Sequence, residues 1–278
     1  IQTGHITVRD NGTIVIRQAT LQLSLRGEEH YNINVFDNGK ILVENGIITS
    51  LGRKSFLVIS GSGSIKIQRD SSIAGLDSIS SVGNSTFSIE RSKIAVNRAF
   101  FNGSTFFADF AIIESDCSIA ARKVTITNSK ITSLSTHSDQ EFSILDSDIG
   151  RLTSYSRRLL LYNVTMNKAS SNLENATVFR HWWLTVGVTD RLRSVPDANV
   201  TVVFYANGSL ATGGTTDRSG TVKMPVLAEM ITTKAVFFLG NYKVRATVGD
   251  KVSPFQPVTV DTNRIISLIL GKMTSYLT

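Results

Sequence analysis

The chain has 278 residues, of which 41% are hydrophobic and only 18% charged, with a net charge of +7 and an isoelectric point near 9.6. That length is enough for one large domain or two ordinary ones with self-sufficient cores, and the composition excludes both a disordered chain and a bundle of charged amphipathic helices. The 33 Ser and 28 Thr, set among frequent Val and Ile, favour strands and turns, so the expected fold class is all-β. Lys and Arg are scattered without a basic stripe, which argues against nucleic acid and leaves acidic glycans or other anionic surfaces as partners.

Along the chain, residues 1–178 read as a repeat. The segments Asp10-Asn11-Gly12-Thr13-Ile14-Val15-Ile16 and Asp37-Asn38-Gly39-Lys40-Ile41-Leu42-Val43 place a turn before an apolar strand. An apolar residue is followed by another five positions on at Ile16/Leu21, Val43/Ile48, Ile89/Ile94, Phe107/Ile112, Ile126/Ile131, Ile144/Ile149 and Leu161/Met166, with a longer version at Ile67/Ile73. The later copies start 17 to 19 residues apart, too short for a propeller blade and without room for a helix. A parallel β-helix is what stacks at this period, with Ile89, Phe107, Ile126, Ile144 and Leu161 expected in one inward column. Asn45, Asp109, Asn128, Asp146 and Asn163, two places after the first apolar residue, fit sharp corners and a polar ladder; Gln18 and Arg91 are the exceptions. The pattern resembles right-handed parallel β-helix domains of secreted and cell-surface proteins.

All four prolines (Pro196, Pro225, Pro254, Pro257) lie beyond residue 195, and the texture changes near Trp182. Residues 179–278 alternate as strands: Trp183 to Asp190, Val195 to Val202, a Thr216-Asp217-Arg218-Ser219-Gly220 turn, then Ala235 to Leu239, Tyr242 to Val248 and Pro257 to Leu270. This is similar to the carboxypeptidase-regulatory or transthyretin-like β-sandwich, a resemblance that implies a spacer or adhesion module without catalytic residues.

Seven N-x-S/T sequons occur, at Asn11, Asn84, Asn102, Asn163, Asn175, Asn199 and Asn207, against about four expected by chance, and they read as N-glycosylation sites or as ordinary turns. The lone Cys117 and four dispersed histidines suggest no disulfide, metal site or cofactor. Asp146 and Asp148, with Asp109, Glu114, Asp116, Asp139 and Glu141 nearby, are the best acidic candidates for catalysis or Ca2+, set against turn chemistry and solvated surface. No Ser/His/Asp spacing, HExxH, P-loop or dinucleotide glycine pattern is present. Phe100, Phe101, Phe106, Phe107 and Phe110 read as stacked core or a sugar platform, and His181-Trp182-Trp183 as a seal at the domain junction or a ligand site. The opening Ile1-Gln2-Thr3 reads as a mature or trimmed start, and no apolar run is long enough to span a bilayer.

Together these features point to a non-enzymatic, glycosylated extracellular protein, a homopolymeric subunit of a cell-surface filament or surface layer; the two-domain arrangement resembles that of archaeal surface proteins. Assembly would run through strand edges, with Ile1, Thr3, Ile6 and Val8 at one end and Ile265, Leu268 and Leu270 at the other. The alternative is a carbohydrate-active or carbohydrate-binding β-helix with an accessory sandwich.

Overall fold

A computed structural model describes residues 5–24, 30–51, 54–137, 141–167, 172–174, 176–191 and 193–272, among which all regular elements are strands. The chain divides into two compact units, residues 1–160 with 164–177, and residues 161–163 with 178–278.

The first unit is a parallel β-solenoid of about seven turns. Each turn contributes to three columns of parallel strands. One column runs from Ile6–Val8 through Tyr31–Val35, Ser55–Ile59, Ser78–Val82 and Arg98–Asn102. A second runs from Thr13–Arg17 through Lys40–Glu44, Ser64–Gln68, Thr86–Glu90, Thr105–Asp109 and Lys123–Thr127 to Phe142–Leu145. The third runs from Thr20–Leu23 through Ile47–Ser50 and Ser72–Ala74 to Lys93–Ala95. From Ile112–Ile119 onward the third strand of one turn and the first of the next fuse into a single strand, with a register shift between Ile113 and Asp116. The turn shortens along the chain, mostly before that fusion, and then holds. Thr13 pairs with Lys40, Lys40 with Ser64, Ser64 with Thr86, Thr86 with Thr105, Thr105 with Lys123 and Ile126 with Ile144, giving steps of 27, 24, 22, 19, 18 and 18 residues.

Period-two alternation turns one set of side chains inward on every strand. Ile16, Val43, Ile67, Ile89, Ala108, Ile126 and Ile144 stack in one inner column, and Leu21, Ile48, Ile73, Ile94, Ile113, Ile131 and Ile149 in another. Burying each such Ile contributes about 1.5–3 kcal/mol. The expected inward Phe107 is a misreading by one residue: Phe107 sits beside Ser88 and Thr125 on the outer surface, and Ala108 takes the inner place. Apolarity pointed to Phe107, but pairing with Ile89 and Ile126 fixes the register. Bulk is supplied instead by Phe87, Phe101 and Phe106, all buried, with ring centroids 4.4 to 6.1 Å apart.

The same slip moves the corner. Gln18, Asn45, Asp70, Arg91, Phe110, Asn128 and Asp146 have φ between 45° and 58°, so Phe110 rather than Asp109 is left-handed, and Gln18 and Arg91 belong to the series. From Gln18 to Asn128 each corner amide donates to a carbonyl of the following turn, as in Asn45 to Arg69, Arg91 to Asp109, Phe110 to Thr127 and Asn128 to Leu145. These bonds hold residues that would not choose this conformation unaided. The polar ladder is made chiefly by serines. The Oγ of Ser71, Ser92, Ser129 and Ser147 accepts from the amide of Gly46, Ser71, Ala111 and Ser129 respectively, and donates to a carbonyl within its own turn. At the other corner, Gly39 is required: a Cβ there would stand 2.3 Å from the Val8 carbonyl oxygen.

The second unit has two sheets. In one, Thr177–Asp190 pairs antiparallel with Thr221–Ile231 and parallel with Arg264–Ile269. In the other, Asn199–Phe204 lies between Leu210–Thr215 and Asn241–Val248 in antiparallel order. One core draws on both sheets, including Leu184, Val186, Met224 and Leu268 from the first and Val200, Val202, Tyr242 and Val244 from the second. The single strand expected from Pro257 to Leu270 is two: Gln256–Thr259 pairs with Asn241–Val248, and Arg264–Ile269 crosses to the other sheet. The Thr-Asp-x-x-Gly turn forms as its residues require, with Asp217 Oδ1 accepting from the amides of Ser219 and Thr221 and Gly220 at φ 73°.

Candidate functional site

The surface feature that stands apart from this packing is the strand Arg264–Ile269. Leu268 and Leu270 point into the core, 2% and 4% exposed, whereas Ile265 and Ile269 point outward and are 81% and 61% exposed. Among the described residues this strand pairs with Thr177–Asp190 alone, so its other edge carries open backbone donors and acceptors. The register sets Ile265 beside Thr185 and Ile269 beside Thr189. Of the assembly residues read from sequence here, Ile265 faces solvent while Leu268 and Leu270 serve the core. Ile269 was not singled out, although alternation from Ile265 marks it.

At the other end of the chain, Ile6 is half-buried and Val8 is 4% exposed, paired with Ile33 and Val35. Ile1 and Thr3 lie outside the described residues. Ile6–Val8, Thr13–Arg17 and Thr20–Leu23 each pair on one side only among the described residues. These three edges end the solenoid's strand columns.

Of the sequons, Asn11, Asn84, Asn102, Asn199 and Asn207 are exposed. Asn163 is half-buried, and its Oδ1 accepts from Asn263 Nδ2 at 2.9 Å within the second unit. Asn175 lies outside the described residues.

The acidic candidates do not converge. Asp109 accepts from Thr127 Oγ1 and Asn128 Nδ2, and Asp148 from Thr165 Oγ1. Glu114 pairs with Lys93, Asp116 with Arg151 and Glu141 with Arg158. Asp146 occupies the left-handed corner, so the alternation expected to align it with Asp148 is broken between them. Asp139 lies outside the described residues. Among those residues no group of three or more His, Cys, Asp or Glu is placed to hold a metal ion. A buried carboxylate the sequence did not mark is Glu44, gripped by Arg17 and Gln68, which hold its pKa below the usual carboxylate range.

Phe101 and Phe106 are core, while Phe100 and Phe110 are 44% and 53% exposed. Phe110 borders a groove of about 540 Å³ lined also by Asp70, Ser72, Arg91, Lys93 and Ile112, with the Arg91 guanidinium 5.8 Å from its ring centre. In the second unit Trp182 is buried beneath Arg180, and His181 stacks on Tyr162 at 4.6 Å. Trp183 carries Lys223 Nζ 4.6 Å from its ring centre. No helix among the described residues is long and apolar enough to cross a membrane. No protein-family model matches the chain, and no curated protein sequence matches it.

Proposed function

We propose that this chain is a non-enzymatic, glycosylated subunit of an extracellular cell-surface filament or surface layer, built as a right-handed β-helix followed by a transthyretin-like β-sandwich. The reading rests on the strand Arg264–Ile269, whose free edge and outward Ile265 and Ile269 form a surface suited to strand pairing with another copy. The one-sided strands of the first solenoid turn supply a different edge, so a contact between the two is heterologous and propagates. The shared core of the two sheets supports the sandwich assignment. The five exposed sequons support glycosylation.

The test is electron microscopy and sedimentation of the full chain beside two variants, a deletion of residues 1–8 and Ile265→Asp/Ile269→Asp. Filaments or sheets from the parent, lost in either variant while circular dichroism shows retained strand content, support the reading. A parent chain that stays monomeric at high concentration overturns it.

The groove at Phe110 favours a second reading, a carbohydrate-binding solenoid. An exposed aromatic ring flanked by Arg91 and Asp70 offers a sugar both a stacking face and polar partners. Glycan-array binding lost on Phe110→Ala would support it, and no binding to any glycan would remove it.

A further inference from the structure

At one end of the second unit, a cavity of about 820 Å³ is lined by Asp190, Arg191, Arg193, Lys251, Leu270, Gly271 and Lys272. Four cations and one carboxylate give it a local charge of +3, a large share of the chain's +7. The fold, not the sequence, gathers them. Arg191 and Arg193 come from the hairpin in which Asp190 pairs with Arg193, and Lys251 and Lys272 from the other sheet, where they stand directly opposite each other. Like charges facing across a strand pair destabilise it. Asp190 relieves one of them only: its Oδ2 lies 2.5 Å from Lys251 Nζ. Arg191, Arg193 and Lys272 make no ion pair among the described residues, and all three are exposed. The Asp190 carboxyl is held below the usual range first by the Lys251 hydrogen bond, with Arg191 and Arg193 adding to it, so the local field is positive there. Asp250, at the tip of its hairpin, does not line the cavity.

We infer that this cavity binds a small polyanion carrying at least two oxyanion groups. Guanidinium groups meet carboxylate, sulfate and phosphate with paired, planar donors, and ammonium groups add point charges across the cavity. The volume is far larger than one inorganic ion needs and falls in the range of pockets that hold ligands of disaccharide size. The inference does not depend on assembly, since all of its residues belong to one unit of one chain.

Calorimetric titration of the full chain with three probes tests it: pyrophosphate, a disulfated disaccharide and a digalacturonate. Saturable one-to-one binding of at least one probe at submillimolar concentration is expected, and which probe binds identifies the oxyanion. Arg193→Gln/Lys272→Gln should weaken that binding at least tenfold. Lys123→Gln/Lys130→Gln, which removes the same charge from the solenoid surface, should change it less than twofold. Failure of all three probes to bind, or equal weakening by both double variants, would overturn the proposal.

Discussion

Replacing Ser129 by Ala isolates one step of the serine ladder. Ser129 is 3% exposed, its Oγ accepts from the Ala111 amide at 3.1 Å and donates to the Thr127 carbonyl at 2.6 Å. With the hydroxyl gone, the Thr127 carbonyl still accepts from the Phe110 amide, and the Ser129 amide still reaches Ser147 Oγ. Only the Ala111 amide loses its acceptor. An orphaned buried donor costs about 1–3 kcal/mol, and the alanine methyl leaves no cavity to add to it, so about 2 kcal/mol is expected. With a urea dependence of about 2 kcal/mol per molar for a unit of this size, the midpoint should fall by about 1 M. Unfolding is followed by far-ultraviolet circular dichroism, because Trp182 and Trp183 both report on the other unit. Ser88→Ala, on the outer surface between Lys66 and Phe107, is the control and should stay within about 0.5 kcal/mol. Hydrogen exchange at Ala111 should accelerate in the first variant alone. If Ser129→Ala shifts the midpoint no more than Ser88→Ala does, the hydroxyl ladder does not hold the turns together.

Three further outcomes are expected. Ala108→Ile should destabilise the solenoid by about 1–3 kcal/mol, because Ala108 is fully buried between Ile89 and Ile126; a neutral result in the same urea experiment would mean unfilled space there. Cys117, buried between Ala99 and Leu134 with its thiol pKa pushed up by desolvation, should resist a disulfide-exchange reagent until urea unfolds the solenoid; rapid labelling of the native chain would contradict that burial. Asp217 has its folded pKa lowered from 3.8, first by the Ser219 hydroxyl and then by the Thr221 amide, so it contributes stability above its unfolded pKa and loses it as pH falls through the folded value. The parent's stability, followed by tryptophan fluorescence, should therefore decline as pH falls below 3.8, and Asp217→Asn should flatten that decline; an unchanged acid curve would show that this turn does not contribute.

How much of this was legible depended on whether a residue's environment is set by its sequence neighbours or by the next turn. The Asp-Asn-Gly corners, the pairs Ile16/Leu21 to Ile144/Ile149 and the Asp217 turn are local, since five-residue spacing, alternation and turn chemistry determine them within one segment. The register at Ala108 is not local. Phe107 is the more apolar residue, yet pairing with the strands on either side decides which of the two points inward. The left-handed corners at Gln18, Arg91 and Phe110 follow the same logic, because amide bonds to the following turn impose a conformation these side chains do not favour. In the second unit, alternation alone implied that Arg264–Ile269 has an inner and an outer face, but only the sheet showed that Leu268 is core and Ile265 is surface. The cationic cavity was invisible in the sequence, where its residues run from Asp190 to Lys272 among scattered charges. Strand pairing brings them within one cavity, and Coulomb interactions depend on that distance in space.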